Sequence, residues 1–500
     1  MDSGDIRETE PLNEARIVQD KKLTCCQRFG QFLSNITVEP VAFLALFSNI
    51  LSSVATQTLG LEKTCRVSLG LDDKICDSLR AQNQSNNFTV YERMVQEYYS
   101  NQLLWKSALQ ALLPLIMLLF VGGWSDATGK RKSIMMVVLS GEIMQCLSNI
   151  INVIFFYEIP LQVLLFFDVF FVSIVGGSSV MFLALFNYIC DITTAENRTH
   201  RFGLVNLCIF AGMPMGLALS GIMLKHLGYF AIYGSSLTLH ALNFLYVLLR
   251  LSDQARSEEQ KQHDGRGVCY FLKLFFNPRT IKETFKVLFK KTENNRTTQL
   301  CVIIITVTFL YGPFYGEASI MYMSTRYRFN WNEVDFSIFQ TYNFGLNILG
   351  TIISILLFSK YLKWHDSVLG IISSISKIGS SFVYCFAATA AIFYIGPVVD
   401  LLNGTSILAI KSLYSKLLDP NEIGKMTSLI GMIENMTPLV YVPMYTQLYT
   451  ATMDTLPGAV YLLGAMMAVV ALFSFLWLLW VHLKEQKQLR NEKANGMPMT

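Results

Sequence analysis

Ionisable side chains lie inside long apolar stretches of the sequence, where little water is available to solvate a charge. An isolated charge at the centre of a bilayer costs about 2.5–3.5 kcal/mol on insertion scales, so each such residue needs a role. Carboxylate and ammonium groups at such depths can bind a charged solute, carry a proton, or form structural ion pairs between helices, and these alternatives stay open. The residues are Glu142, Asp168, Glu317, Lys377, Asp400, Lys411 and Glu434.

The stretches around these residues predict helices that cross a membrane. The chain of 500 residues is 52% hydrophobic and 15% charged, whereas a soluble domain carries about 25% charged residues. Runs of about 20 apolar residues, enough to span a hydrocarbon core of about 30 Å, recur along the chain. They predict an all-α membrane protein with twelve transmembrane helices, near 38–60, 103–124, 133–156, 160–190, 202–224, 228–250, 299–323, 334–358, 367–389, 392–416, 424–448 and 456–482.

Polar intervals divide these helices into two six-helix bundles. The short basic loops predict that both termini and the central loop are cytoplasmic, because positive charge is retained on that side. Apolar and basic residues alternate irregularly in "CYFLKLFFNPRTIKETFKVLFK" of the central loop, which favours a helix on the membrane surface over a basic linker. The predicted organisation is a cytoplasmic tail at 1–37, an N-terminal bundle at 38–250, a central loop at 251–298, a C-terminal bundle at 299–482 and a cytoplasmic tail at 483–500.

The interval 61–102 is predicted to be an extracellular loop. It contains the glycosylation acceptors Asn83 in "NQS" and Asn87 in "NFT". It also contains Cys65 and Cys76, which we predict to form a disulfide, the alternative being two free or differently paired thiols. A glycosylated loop of this kind indicates a multi-pass protein of the plasma membrane or, alternatively, of an endosomal or lysosomal membrane.

The stretch "GGWSDATGKRK" at 122–132 follows the second predicted helix. Gly122 and Asp126 are four residues apart and share a helix face. Gly122 is expected to let a neighbouring helix come close, and Asp126 to accept hydrogen bonds from that neighbour. Gly129 permits a sharp turn, and the three basic residues after it can contact lipid phosphates.

This stretch resembles the signature of the major facilitator superfamily, the pattern G-x-x-x-D-x-x-G-[RK]-[RK]. The matching residues are Gly122, Asp126, Gly129, Lys130 and Arg131. The resemblance implies that the aspartate belongs to a latch that closes the cytoplasmic side, although Ala127 replaces a basic residue of many members. A loop that only anchors the topology is the alternative. The corresponding loop of the second half keeps Asp366 but lacks the glycines.

Four further stretches resemble the solute carrier 46 family, to which the proton-coupled folate transporter belongs. The resemblance is scattered over nearly all of the chain past residue 38. The stretches are "VEPVAFLALF" (38–47), "ENRTHRFGLVNL" (196–207), "WNEV" (331–334) and "AIKSLYSKLLDPNEIGKMTSLIGMIEN" (409–435).

The family's functional positions are only partly kept in this chain. Lys411 stands where the family usually has an arginine of the substrate and proton pathway, so the charge is kept and the guanidinium fork is lost. Asn206 stands where members usually carry a carboxylate, and Pro313 about where the folate transporter has a histidine. Asn330 stands where relatives often have a cysteine, so their inter-loop disulfide is unavailable, which favours the Cys65–Cys76 pairing.

These observations predict a secondary-active transporter that works by alternating access. Its solute is expected to be a small organic anion, such as a folate, a pterin or a muropeptide-like compound, coupled to a proton that a carboxylate such as Glu434 carries. Asp400 and Lys411 are expected on one face of the tenth helix, about 16 Å apart, and His240 is expected to be structural.

The expected partners are the solute and the lipid bilayer, with no cofactor beyond the co-transported proton, no metal and no nucleic acid, in a monomer or weak oligomer. The chain lacks enzyme motifs such as a nucleophile elbow, HExxH or a phosphate loop, so an enzyme is not expected. The alternative is a transport-inactive membrane receptor or scaffold with the same fold, which the loss of titratable groups at Asn206 and Pro313 favours.

Overall fold

The computed structural model describes residues 37–81, 88–193, 195–253, 270, 275–276, 296–354, 361–362, 364–418 and 420–494. Every regular element in these ranges is helical. Asn83, Asn87, most of the segment 269–290 and the side chains of Asp126 and Asn206 lie outside the described part.

Among the described residues, seven α-helices form the first half of the chain. A π-helical turn, Thr64–Ser68, extends the first of them. The helices are α1 Glu39–Lys63, α2 Asp73–Arg80, α3 Phe88–Thr128, α4 Arg131–Ile154, α5 Leu161–Ile174, α6 Gly177–Ile192 and α7 Ala195–Arg250.

Eight α-helices form the second half within the ranges that the structure describes. Within the described residues of both halves, eight helical segments are long and apolar enough to cross a membrane. One of them, Leu207–Arg250, contains most of the fifth predicted helix and all of the sixth. The count of twelve spans therefore stays a prediction. The helices are α8 Arg296–Phe329, α9 Glu333–Ile353, α10 Asp366–Phe386, α11 Ala390–Phe393, α12 Gly396–Val399, α13 Thr405–Leu417, α14 Pro420–Thr452 and α15 Ala459–Ala494.

Glycine and proline residues interrupt two predicted helices and mark the boundary between two others. The segment 160–190 breaks at Gly176 and Gly177, where φ is +88° and +55°, values that an L side chain rarely adopts. Gly228, with φ +75°, bends α7 between the fifth and sixth predicted helices. In the tenth, Gly396 and Pro397 begin the four-residue helix α12.

The prediction that Asp400 and Lys411 share one face of a continuous helix is therefore wrong. Asp400 follows α12 with φ −80° and ψ 2°, and the next helix begins at Thr405. The backbone between them forms turns, with Asn403 N–H donating to Asp400 O at 2.9 Å and Thr405 N–H to Leu402 O at 3.2 Å. Asp400 thus lies on irregular backbone, and Lys411 on a separate helix.

The predicted loop 61–102 is largely helical. A disulfide joins Cys65, in the π-helical turn, to Cys76 of α2, with Cα atoms 5.9 Å apart. α3 begins at Phe88, well before the predicted start at 103. Glu92, Arg93 and Glu97 interrupt the apolar run here, so the apolar pattern alone does not predict this part of the helix. We call this side of the protein the disulfide end, and the side of Gly129 the motif end.

The two halves share a core at the disulfide end and have separate cores at the motif end. One buried apolar cluster combines first-half residues such as Leu59 and Tyr99 with second-half residues such as Tyr322 and Tyr449. Towards the motif end, one cluster contains only residues up to 275 and another only residues from Leu300 onward. Contacts between the halves run mainly from α3 to α14 and from α7 to α9. The described residues thus form a bundle joined at the disulfide end.

Candidate functional site

Three of the predicted ionisable residues meet in the second half. Lys377 Nζ of α10 lies 2.7 Å from Glu317 Oε2 of α8. Asp400 is the second carboxylate that interacts with Lys377. Their exposed fractions are 5% for Glu317, 8% for Lys377 and 6% for Asp400. We call Glu317, Lys377 and Asp400 the carboxylate–lysine triad.

A row of serines on α10 holds the broken tenth helix beside the triad. Ser373 Oγ donates to Asn403 O at 2.6 Å, and Ser376 Oγ to Val399 O at 2.5 Å. Ser380 Oγ donates to Asp400 Oδ1 at 2.7 Å. These spacings of three and four residues place the hydroxyl groups on the face of Lys377. Ser373 and Ser376 donate to carbonyl groups of the irregular backbone, which polar partners must satisfy in a membrane.

A second group of predicted residues surrounds Glu434 of α14. Tyr315 of α8 donates its hydroxyl to Glu434 Oε1 at 3.3 Å, and Tyr311 also interacts with this carboxylate. Lys411 of α13 is the nearby cation and is exposed. We call these four residues the Glu434 cluster.

The Glu434 cluster lies beside the contact between the halves. Asn435, the next residue of α14, accepts a hydrogen bond of 2.8 Å from Ser179 Oγ of α6. Ser179 follows directly on the break at Gly176 and Gly177. An exposed ammonium group beside a half-buried carboxylate at this position can bind an anion.

The first half contains two further buried acids. Asp168 of α5 accepts hydrogen bonds from Lys106 Nζ at 2.8 Å and from the amides of Gln145 and Asn149 at 3.0 Å. Glu142 Oε2 of α4 lies 3.3 Å from His240 Nε2 of α7, and each of these two residues is 1% exposed. The sequence analysis missed Lys106 as the partner of Asp168, although it lies inside the second predicted helix, where any lysine needs a partner.

One buried ion pair joins the two halves at the disulfide end, and the sequence analysis missed it. Arg326 Nε of α8 lies 2.6 Å from Glu92 Oε1 of α3, and Arg326 Nη2 donates to Leu79 O at 2.6 Å. Gln96 Nε2 donates to Glu92 Oε1 at 2.7 Å, and Tyr449 of α14 donates its hydroxyl to Gln96 Oε1 at 2.9 Å. We call this network the Glu92–Arg326 bridge. The four-residue spacing of Glu92 and Gln96 on one helix face was the available signal.

The motif 122–132 has the predicted turn but not all of the predicted contacts. Gly129 has φ +67° and donates its N–H to Ser125 O at 2.8 Å. Among the described residues, a Cβ atom at Gly122 would meet only Leu183 Cδ2 of α6, at 3.8 Å, which is an ordinary contact and not a close approach of backbones. The prediction that Arg131 contacts lipid phosphates is also wrong. Its side chain is buried, and its Nε lies 3.1 Å from Asp191 Oδ2 of α6, because an inter-helix carboxylate is available to it.

The other half repeats this ion pair with the charges exchanged. Lys416 Nζ, near the end of α13, lies 2.5 Å from Asp366 Oδ2 at the start of α10. Arg131 begins α4 and Asp191 lies near the end of α6, so each pair joins the corresponding helices of its half. An internal repeat of this kind is typical of transporters built from related halves.

Comparisons with known proteins agree with this architecture. The family model of the Major Facilitator Superfamily matches residues 42–440. A Gallus gallus protein named lysosomal proton-coupled steroid conjugate and bile acid symporter SLC46A3 is 26% identical, over 89% of this chain and 94% of its own length. A Drosophila melanogaster protein named probable peptidoglycan muropeptide transporter SLC46 is 22% identical, over 86% of this chain and 82% of its own length.

A solved structure supports the same fold. The human organic anion transporter MFSD10 (TETRAN) superposes with a TM-score of 0.57, over 88% of this chain and 98% of that chain, at 13% identity. The family match covers most of the chain, and the relatives named above are transporters. The two SLC46 relatives confirm the resemblance of the sequence to the solute carrier 46 family. The chain is a multi-pass membrane protein that belongs to the Major Facilitator Superfamily.

Proposed function

We propose that this transporter is a secondary-active carrier that moves a small organic anion together with protons by alternating access. The observation that carries the proposal is the exposed ammonium group of Lys411 beside the Glu434 carboxylate, next to the contact between the halves. An organic anion that binds Lys411 competes with Glu434 for the same positive charge. Protons that neutralise carboxylates of the carrier would therefore favour binding of the anion, as reciprocal coupling requires.

The arrangement of the two ends supports alternating access. The halves share a core and the Glu92–Arg326 bridge at the disulfide end, whereas the cores towards the motif end are separate. We propose that this is the state in which the solute site faces the motif end. In the opposite state the bridge opens, and the motif containing Asp126 closes the other end.

The proposed solutes are a folate or pterin, a muropeptide and a bile acid or steroid conjugate. The first two follow from the family resemblance and from the name of the Drosophila melanogaster relative, and the third from the name of the Gallus gallus relative. All of them carry anionic groups that an ammonium group can bind. The Lys411 ammonium group is a point charge and cannot form the bidentate hydrogen bonds of an arginine. We therefore expect the site to accept solutes with different kinds of anionic group.

Uptake of radiolabelled folate, a muropeptide and a bile acid at about pH 5.5 and about pH 7.4 tests the proposal. Cells would express the wild type, Lys411→Gln, Asp126→Asn, or the matched control Lys416→Gln, which changes an exposed lysine of the same helix. We expect uptake of at least one solute to rise at acid pH, and to fall about tenfold with Lys411→Gln, a loss of about 1.4 kcal/mol of binding. Lys416→Gln should stay within about twofold.

Two outcomes would contradict the proposal. Uptake that Lys411→Gln leaves intact would place the solute site elsewhere. No uptake of any of the three solutes, with the protein present at the surface, would favour the receptor or scaffold alternative.

The plasma membrane is the proposed location, with the disulfide end outside. The Cys65–Cys76 disulfide suits an oxidising compartment. The Gallus gallus relative is named lysosomal, which is the alternative. Surface biotinylation, with a mobility shift on removal of N-glycans that is lost in Asn83→Gln/Asn87→Gln, would support the proposed location and orientation. An unshifted protein found only inside the cell would contradict both.

A further inference from the structure

The carboxylate–lysine triad contains more negative than positive charge. Lys377 forms its ion pair with Glu317, and Asp400 interacts with the same ammonium group without a hydrogen bond to it; all three side chains are more than nine-tenths buried. With both acids ionised, the group has a net charge of −1. A buried charge without a partner is unfavourable, so the triad favours the uptake of one proton.

The two acids differ in how many donors they receive. Asp400 accepts from Ser380 Oγ through Oδ1 and from Asn403 Nδ2 through Oδ2, at 2.7 and 3.3 Å. Among the described residues, Glu317 accepts a hydrogen bond only from Lys377 Nζ, through Oε2. Its other oxygen, Oε1, is buried without a hydrogen-bond partner among the described residues. Glu317 is therefore the acid that is better suited to hold the proton.

Gly464 of α15 leaves room at this unpartnered oxygen. A Cβ atom added at Gly464 would collide with Glu317 Oε1 and would lie 3.3 Å from Tyr445 Oη of α14. The Tyr445 hydroxyl is also buried without a hydrogen-bond partner in the described part of the chain. Two unsatisfied polar atoms thus lie beside Gly464, which is rare in a folded interior and requires an explanation.

We infer that Glu317 Oε1 is the binding site of the driving proton, separate from the solute site at Lys411. This inference rests on the proton coupling in the proposed function. A proton adds to Oε1 and converts the carboxylate to a neutral carboxylic acid. The Lys377 ammonium group keeps its three protons and moves its hydrogen bond from Glu317 to Asp400. When the proton leaves to water at the other end, Lys377 returns to Glu317.

The surroundings of Glu317 fit this exchange. The triad connects α8, α10 and the irregular segment around Asp400, so a shift of Lys377 changes how these elements are held together. The hydrogen bonds from Ser373 and Ser376 of α10 to the irregular segment do not involve Lys377, so they can persist while Lys377 moves. The ionisable side chains that interact with Glu317 in the described structure are Lys377 and Tyr384 of α10, Asp400, Tyr445 of α14 and Tyr461 of α15.

The Glu434 cluster is a weaker candidate for the same role. Glu434 receives the Tyr315 hydroxyl at 3.3 Å, interacts with Tyr311 and has Lys411 as its own cation. Its charge is therefore balanced without a proton until an anion arrives. If Glu434 carries the proton, substitution of Glu434 should abolish proton coupling. If Glu317 carries it, substitution of Glu317 should do so.

Carbodiimide labelling of the wild-type chain tests the inference without any substitution. Dicyclohexylcarbodiimide enters apolar sites and reacts with protonated carboxyl groups, and peptide mass spectrometry then locates the adduct. We expect Glu317 to be labelled about tenfold more than Asp168 near pH 6, with labelling that falls as the pH rises. Labelling of Asp168 equal to that of Glu317, or no labelling of Glu317 between about pH 5 and about pH 8, would overturn the inference even if transport is proton-coupled.

Proteoliposomes with an internal pH dye separate coupling from transport. They contain the full chain, and the solute is whichever of folate, muropeptide and bile acid the wild type takes up best. We expect Glu317→Gln to keep solute exchange at equal pH and to reduce solute-driven proton entry about tenfold. The matched control Glu97→Gln, an exposed glutamate of α3, should keep proton entry.

The outcomes distinguish the two proposals. A wild type that moves none of the solutes refutes the proposed function, and the carbodiimide result then decides the inference alone. A Glu317→Gln protein that exchanges solute and still moves protons like the wild type overturns the inference and leaves the proposed function standing. Asp400→Asn supplies a second test, because Glu317 and Lys377 alone are neutral and should not need a proton.

Discussion

Asp168 in the first half and Glu317 in the second are both buried acids that contact a lysine, yet their surroundings differ. Asp168 has Lys106 to itself, and its two oxygens together accept three hydrogen bonds. Glu317 shares Lys377 with Asp400, and one of its oxygens has no partner in the described structure. Both sites look alike in the sequence, as an acid inside an apolar run.

The difference separates a fixed charge from one that can change. A saturated pair loses its hydrogen bonds and leaves a buried ammonium group unpaired when its acid is protonated, which is strongly unfavourable. An undersaturated acid beside a shared cation loses little on protonation, because the cation still has a second acid. The number of donors for each carboxylate is therefore a better indication of function than burial alone.

The largest expected effect is the loss of the shared cation. Lys377→Met leaves Glu317 and Asp400 both buried without a positive partner, whereas Lys106→Met leaves only Asp168, which keeps two amide donors. We expect Lys377→Met to destabilise the folded protein by about 3–5 kcal/mol, and Lys106→Met by less. Thermal unfolding of the purified protein, followed by fluorescence-detected size exclusion, measures both.

A second substitution checks that the effect comes from charge. Adding Glu317→Gln to Lys377→Met removes one of the two unpaired carboxylates and should restore part of the stability. If Lys106→Met is the more damaging of the two single changes, or if Glu317→Gln restores nothing, the comparison between the halves is wrong.

The ion pair that recurs in both halves gives a smaller contrast. Arg131 is 8% exposed and bonded to Asp191 and Ser125, whereas the Lys416 side chain is 62% exposed. Arg131→Gln should cost about 1.5–3 kcal/mol, as hydrogen bonds to a buried charged group do. Lys416→Gln should cost about 0.2–1 kcal/mol, the range of exposed pairs. Equal unfolding temperatures for the two variants would show that burial does not change the contribution of these two ion pairs to stability.

The helical class and most helices could be predicted from the sequence, because apolar runs of bilayer length follow from one physical requirement. α3 before residue 103 could not be found in that way, since Glu92, Gln96 and Ser100 interrupt the apolar pattern. The breaks at Gly176 and at Gly396–Pro397 were visible as residue types. Their consequence for Asp400 was not, because a proline inside a membrane helix can bend it or end it.

The sequence predicts which individual residues are candidates, but not which of them lie together in the folded protein. The cost of burying charge singles out Glu317, Lys377 and Asp400, but they lie on three segments, and only packing shows that they meet. The Glu92–Arg326 bridge was missed for a different reason. Glu92 lies in the predicted loop 61–102 and Arg326 three residues after the seventh predicted helix, and charged residues at such positions are expected to face water.

The Glu92–Arg326 bridge is a buried ion pair that, unlike Lys106–Asp168, must open in the proposed transport cycle. Glu92→Gln leaves the buried Arg326 without its carboxylate and should favour opening of the disulfide end by about tenfold, or about 1.4 kcal/mol. A cysteine placed at Met323, which is 2% exposed, should then react about tenfold faster with a membrane-impermeant maleimide. Glu97→Gln is the control, because Glu97 lies on the same helix and is exposed. Labelling rates that do not differ between the two variants would mean that the bridge does not hold this end closed.

The smallest effect concerns the two glycines of the motif, which differ in what they require. Gly129 has φ +67°, so Gly129→Ala should cost about 1–2 kcal/mol. Gly122 lies in a helix and its added Cβ would make only an ordinary contact with Leu183. Gly122→Ala should therefore stabilise this state by about 0.5–1 kcal/mol, as alanine does inside a helix. If unfolding temperature rises while solute uptake falls, Gly122 is needed for close approach in the state closed at the motif end. If uptake is unchanged, the glycine has no role in either state and the resemblance of the motif at that position has no mechanical meaning here.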